Sequence, residues 1–403
     1  MLCLLWLNTK PTVNIVIAPD SFKESLSATD VAQAIAAGIE AVMPEAQIRC
    51  LPMADGGEGT LDAVLAVTGG ERRELEVTDA LGRPRLAQWG WLPGETAVIE
   101  MASAAGLEHI ASTDRDPARA DTHGVGKLIL AALDGGAKQI VLTAGGSATN
   151  DAGSGMLRAL GVQFFDRNGQ PLAPGGLVLK DLARLDASML DARLASVEIT
   201  VATDVRNPLC GPDGASAIFG PQKGATPELV HELDQALEQF AHLTAQSTGQ
   251  DMQNQPGAGA AGGLGFAALA WMGARMRPGV EVVAQLANLE QAVAQADLVF
   301  TGEGRMDAQT LQGKTPWGVM RIAKEHHVPV IAITGSLGQG YQALYEAGLT
   351  AAFSLANGPI ALDDAIAQAP ALLKSRATDI MRLWLLASNR TTVASAPTHR
   401  SSE

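Results

Sequence analysis

Over its last third the chain keeps one rhythm: a short β-branched run, a polar loop, then a helical stretch. "ADLVFTG", "TPWGVMRIAKEHH", "VPVIAITG" and "YQALYEAG" are successive examples. Such unbroken apolar runs suit strands buried on both faces, as in a parallel sheet covered by helices on either side. The beginning of the chain behaves the same way. "VNIVIAPDSFK" leads into "ATDVAQAIAAGIEAVM", with Ser27 or Thr29 available as its cap. Strands are predicted at 13–18, 48–53, 138–143, 197–203, 297–301 and 328–334. A long helix is predicted over "TPELVHELDQALEQFAHLTAQ", capped by Thr226 with Pro227 at its first position. The fold class this implies is α/β, with a Rossmann-like, doubly wound parallel sheet.

The middle differs. "GERRELEVTDALGRPRLAQWGWLPGETAVIEM" alternates apolar and polar residues around Gly and Pro, the pattern of antiparallel hairpins. A βαβ rhythm at both ends with another texture between them predicts one domain interrupted by a second. The Rossmann-like domain is expected over 13–75 and 295–388, and an inserted α/β domain over 76–294. The cleft between them is the expected ligand site. Residues 1–12 read as an N-terminal extension and 389–403 as a polar, disordered tail.

At 403 residues the chain has room for two domains. Its formal net charge of -14 excludes a nucleic-acid surface, which needs a concentrated basic face. An acidic protein that acts on an anion must find its cation in a few Lys or Arg side chains or a bound metal. No signal peptide or membrane span is expected, since the apolar run at Leu2–Leu7 is too short to span a membrane and lacks the basic start and small-residue cleavage site of a signal peptide. Cys3, Cys50 and Cys210 stand apart, with no metal or disulfide spacing, and read as buried or inert thiols in a reducing cytoplasm.

Five loops just past predicted strands combine Gly, hydroxyls and acids: "APDSFKESLS", "PMADGGEGT", "TAGGSATNDAGSG", "ATDVRNPLCGPDGA" and "TGEGRMDAQT". Carboxyl ends of parallel strands are where α/β proteins bind ligands, because helix N-termini and free backbone N–H groups converge there. Gly56, Gly57, Gly145 and Gly146 let backbone approach a phosphate, with Thr60, Ser147 and Thr149 placed to donate hydrogen bonds. Asp20, Asp55, Asp204 and Asp307 could hold Mg²⁺ or take a proton from a hydroxyl. Each could equally cap a helix or close an Asx turn, and Asp55 is well placed to cap a helix starting near Glu58. Lys23, Arg305 and Arg206 are the cations within these motifs. "GAGAAGGLGFAALAW" at 257–271 either cradles an anion or permits close helix packing.

"AQTLQGKT" at 308–315 imitates a Walker-A loop, but Ala replaces the first Gly and polar residues separate it from the strand. Thr315 before Pro316 reads better as a helix cap, and Lys314 could still meet an anion there. No GxSxG elbow, GxGxxG fingerprint or His metal spacing is present.

Taken together, "IAPDSFKESLSA", "PMADGGEGT", "GGSATNDAG", "TDVRNPLCGPDGA" and "TGEGRMDAQT" resemble the bacterial class I glycerate kinases, from about residue 13 to 385. The resemblance implies ATP-dependent phosphorylation of (R)-glycerate with Mg²⁺, usually giving 2-phosphoglycerate, in the catabolism of glyoxylate and sugar acids. It also implies a Rossmann-like domain interrupted by a second α/β domain, in a cytoplasmic monomer or homodimer. Under that reading Asp55, Gly56, Gly57, Gly59, Thr60, Gly145, Gly146, Ser147, Thr149 and Asn150 hold the nucleotide. Asp20, Lys23, Asp204, Arg305 and Asp307 carry the chemistry, with Asp204 or Asp307 as metal ligand or base. A kinase for another small hydroxy acid and a non-catalytic binder of organic anions are the competing expectations.

Overall fold

The computed structural model describes residues 13–394, with side chains as far as residue 387. The chain forms two compact units. Ala54–Ala287 makes one, and the flanking segments, up to Met53 and from Asn288, make the other. The first break lies well before the expected residue 75. Helix Thr60–Thr68 belongs with the hairpins of the inserted unit, where Leu61 and Leu65 fill the space above Gly90 and Gly70.

The flanking unit carries a five-stranded, all-parallel sheet. Its order is Ala351–Ser354, Val330–Thr334, Leu298–Thr301, Asn14–Ile17, Gln47–Cys50. The period of two along each strand sorts the core. Ile15, Ile17, Leu298, Phe300, Ile331 and Ile333 pack with Val31, Ile35 and Ile39 of helix Ala28–Glu40 and Leu373 and Ala377 of helix Ala369–Ala394. Val16, Val299 and Ala332 are buried on the opposite face, as are Val319, Met320 and Ala323 of helix Thr315–Glu325. The order in which strands are added reverses between the parallel neighbours Asn14–Ile17 and Leu298–Thr301, whose successors lie on opposite sides. That makes their carboxyl ends the switch point of the sheet.

The inserted unit has a six-stranded sheet, ordered Arg275–Arg277, Glu198–Ala202, Gln139–Thr143, Thr96–Glu100, Pro84–Leu92, Glu71–Thr78. The first four strands are parallel; the last two add as antiparallel hairpins. Ser27 accepts from Asp30 N, and Thr226 accepts from Leu229 N with Pro227 behind it, so both expected caps form. Helix Ala369–Ala394 runs into the segment expected to be a disordered tail. The rest of that tail, 395–403, and the expected extension 1–12 lie outside the described residues. Cys50 is exposed rather than buried, while Cys210 is half-buried with its thiol pushed up by burial and the nearby Asp234 carboxylate. Among the described residues no helix is long and apolar enough to cross a membrane.

Candidate functional site

In the flanking unit the switch point gathers the loops that follow Asn14–Ile17 and Leu298–Thr301. Backbone bonds tie them: Ala18 N donates to Phe300 O and Asp20 N to Gly302 O, both at 2.8 Å. Asp20 accepts from Ser21 N at 2.7 Å and from the Thr315 hydroxyl at 2.6 Å, among other contacts. Helix Thr315–Glu325 therefore starts with Thr315 inside it and Lys314 at the cap position, so Thr315 is not the cap the sequence suggested. Lys314 donates to Glu303 Oε2 at 3.0 Å, and the Thr310 hydroxyl donates to Glu303 Oε1 at 2.6 Å. Burial nonetheless pushes the Glu303 carboxyl up. Asp307 accepts from Gln309 N at 2.9 Å and from Arg305 Nε at 3.2 Å. Arg305 and Lys23 are exposed.

The Walker-A reading ends here. Residues 308–312 form a 3-10 turn capped by Asp307 rather than a phosphate arch, and the Lys314 ammonium is committed to Glu303. Glu303 stands inside a quoted motif but was not singled out. Nothing in a sequence says which acid of "TGEGRMDAQT" turns inward.

In the inserted unit the loops after Thr96–Glu100, Gln139–Thr143, Glu198–Ala202 and Arg275–Arg277 converge with the 55–59 loop. A Cβ on Gly145 would stand 2.7 Å from Gly57 Cα, and one on Gly56 would stand 3.1 Å from Ala202 O. Asp55 accepts from Gly57 N at 3.1 Å, closing an Asx turn. It does not cap helix Thr60–Thr68, whose cap residue is Gly59 in the left-handed region. The start of that helix meets an internal carboxyl instead: Leu61 N donates to Glu100 Oε1 at 2.8 Å. Burial first, then the charges of Asp62 and Glu108, raise Glu100 to about 7. A protein carboxylate thus occupies the helix start where a phosphate was expected, and the Glu at the end of "TAVIE" gave no sign of it.

Asp204 is raised to about 6 by desolvation and then by Asp55, against a backbone hydrogen bond from Gly279. Arg206 is exposed.

The expected phosphate donors are mostly enclosed. The Thr60 hydroxyl donates to Gly57 O at 2.7 Å. Asn150 Nδ2 donates to Ser216 Oγ at 2.9 Å, while Asn150 Oδ1 and Thr149 Oγ1 are buried without a hydrogen-bond partner. Ser147 Oγ accepts from Lys223 Nζ at 2.8 Å, and Thr149 O accepts from the same ammonium at 2.7 Å. Lys223, in "GPQKGAT", was missed because a Lys between glycines reads as a surface turn. Asp151 is structural, accepting from Thr122 N, Thr122 Oγ1, Gly153 N and Gly155 N. Residues 261–263 have positive φ and pack on the 149–152 backbone, so the glycine-rich stretch at 257–271 serves close packing.

The glycerate kinase family profile matches residues 15–385, and so takes in both units. The chain belongs to the glycerate kinase family. It is 49% identical over 368 residues to the glycerate kinase of Halalkalibacterium halodurans, covering 91% of this chain and 97% of that protein. It is 48% identical over 354 residues to the glycerate 2-kinase of Escherichia coli K12, covering 88% and 93% respectively. A crystal structure from Salmonella typhimurium LT2, provisionally described as glycerate kinase 2, superposes with a TM-score of 0.86 at 46% identity. That match covers 94% of this chain and 100% of the other. Membership of the family makes the chain an enzyme of the glycerate kinase type.

Proposed function

We propose that the chain transfers the γ-phosphoryl group of ATP to the 2-hydroxyl of (R)-glycerate in the cytoplasm, giving ADP and 2-phosphoglycerate. The observation that carries this reading is an acid-and-cation set at a sheet switch point in a chain 48% identical to a protein named glycerate 2-kinase. Phosphoryl transfer is mostly positioning and charge neutralisation, so it needs backbone amides, a few cations and a carboxylate rather than a covalent nucleophile.

The roles divide by unit. In the inserted unit the Gly56–Gly57 and Gly145–Gly146 backbones, with Ser147, hold the nucleotide phosphates. Asp204 is the residue of that unit that fits Mg²⁺, because desolvation and then the charge of Asp55 push its carboxyl up, and a divalent cation relieves the like-charge part of that. Among the described residues no three His, Cys, Asp or Glu side chains are grouped to hold a metal. Mg²⁺ bound through one or two carboxylates and phosphate oxygens needs no such cage. When bound, the metal neutralises charge on the phosphates. Asp307 suits it less well, since its oxygens already accept from Gln309 N and Arg305 Nε. Asp307 instead orients the acceptor hydroxyl, Arg305 and Lys23 neutralise the glycerate carboxylate, and Asp20 holds the start of helix Thr315–Glu325 in register.

A coupled ADP-release assay tests the reading with (R)-glycerate, lactate, glycolate and tartronate side by side. Glycerate is expected to give the highest kcat/KM, and Asp307→Asn to lower it by about 100-fold or more. Turnover favouring another acid would replace the substrate assignment. No acid-dependent ADP release from the wild type would remove the reading altogether.

A further inference from the structure

Lys223 is a buried Lys, and among the described residues its ammonium makes no salt bridge. It ends the 3-10 turn Pro221–Lys223, where Lys223 N donates to Gly220 O and Arg115 Nη1 donates to Gln222 O. Its two recorded acceptors, Ser147 Oγ and Thr149 O, are uncharged and belong to the glycine loop after strand Gln139–Thr143. Burying an ammonium against neutral oxygens is costly, and an ordinary surface Lys would snorkel out instead.

Ser147 explains what the arrangement achieves. A hydroxyl has one hydrogen to give and two lone pairs to receive. With an N–H of Lys223 on its oxygen, the Ser147 hydrogen is directed elsewhere, and among the described residues no protein acceptor takes it. Backbone bonds from Leu107 N to Gly146 O and from Ala148 N to Ala105 O fix the loop on either side. If the amine were neutral, its lone pair would accept that hydrogen instead and withdraw it from any ligand.

We propose that Lys223 is a positioning residue for the anion loop: its protonated amine makes Ser147 a dedicated donor to a ligand oxyanion, and it takes up a proton as that anion binds. This rests on the reading that the loop holds nucleotide phosphate. A phosphate and the glycerate carboxylate offer the same oxyanion chemistry, so separate titrations must tell them apart. The charged groups around Lys223 are consistent with such a linkage. Asp151, on the same loop, favours the ammonium, burial opposes it more strongly, and the balance leaves the amine at about 7. Arg115 lies on the neighbouring segment, and helix Ala215–Phe219 carries no charge. An arriving oxyanion adds the negative charge the buried amine lacks, raising its proton affinity.

The test is calorimetric titration of MgADP, and separately of (R)-glycerate, at pH 7 in two buffers of different ionisation enthalpy. The proteins are the wild type, Lys223→Met, Lys223→Arg, Ser147→Ala and the double variant Lys223→Met/Ser147→Ala. MgADP binding to the wild type is expected to take up a fraction of a proton. Lys223→Met should weaken it by about tenfold or more and abolish the uptake. Lys223→Arg should keep affinity within a few-fold but take up no proton. Because Lys223 acts through Ser147, the double variant should bind no worse than Lys223→Met alone. If Lys223→Met does not fold, Ser147→Ala still decides: it must weaken MgADP and reduce the uptake. Additive losses, unchanged proton uptake, or a lower unfolding temperature with unchanged affinity would reduce Lys223 to a structural residue. Uptake and weakening with glycerate alone would overturn the assignment to phosphate. A wild type that binds neither ligand would remove the proposed function as well.

Discussion

Glu100 shows how one residue changes the reading of a loop. Its carboxyl accepts from Leu61 N at the start of helix Thr60–Thr68, so that N–H already has its acceptor. The interaction is bought at a desolvation cost, which places the carboxyl at about 7 against an ordinary 4.5. A carboxyl whose folded value is raised binds its proton more tightly when folded. Its stabilising contribution is therefore full below about pH 4.5 and is lost as pH climbs through 7. Gln at this position keeps the acceptor and loses the titration. Urea unfolding should find Glu100→Gln gaining roughly 2 kcal/mol on the wild type between pH 5 and pH 8. A difference that does not change with pH would mean the carboxyl is not raised. The caps Ser27 and Thr226 were legible in the sequence because a cap and its partner lie within three residues. Asp55 was not, since choosing between an Asx turn and a helix cap depends on whether the helix starts one residue earlier or later. Glu100, Glu303 and Lys223 were illegible for a further reason: burial comes from packing, and no local pattern encodes it.

At the scale of elements, the strand–loop–helix rhythm was readable because the central parallel strands are apolar and their helices follow directly, whereas the polar edge strand Arg275–Arg277 gave no such signal. The antiparallel hairpins were readable from their alternation. The false Walker-A match fell on context, as a 3-10 turn and a Lys–Glu pair occupy the place of the arch. The glycine loops were rightly picked out as unusual, but their glycines do more than admit a ligand: they let the 55–57 and 144–146 backbones lie against each other. A methyl group on Gly145, 2.7 Å from Gly57 Cα, must push the two loops apart. Gly145→Ala is expected to cost about 1–3 kcal/mol of stability, as overpacking does, and to weaken MgADP more than glycerate. Chemical denaturation with parallel titrations checks both effects. Unaltered nucleotide affinity would separate the loop pair from the binding site.

For the whole molecule, the interruption of one α/β unit by another follows from the chain's change of texture, while its first boundary does not. Helix Thr60–Thr68 looks like a continuation of the rhythm before it, yet its apolar face fits the hairpin sheet that comes after it. The profile match over residues 15–385 spans both units, so family membership belongs to the chain as a whole. In the proposed reaction this acidic protein places a phosphoryl group from ATP on the 2-hydroxyl of glycerate. Phosphorus NMR of the purified protein with ATP, Mg²⁺ and (R)-glycerate observes that bond directly. The expected result is 2-phosphoglycerate growing in step with ADP; 3-phosphoglycerate, or ADP accompanied only by inorganic phosphate, would contradict the proposed reaction.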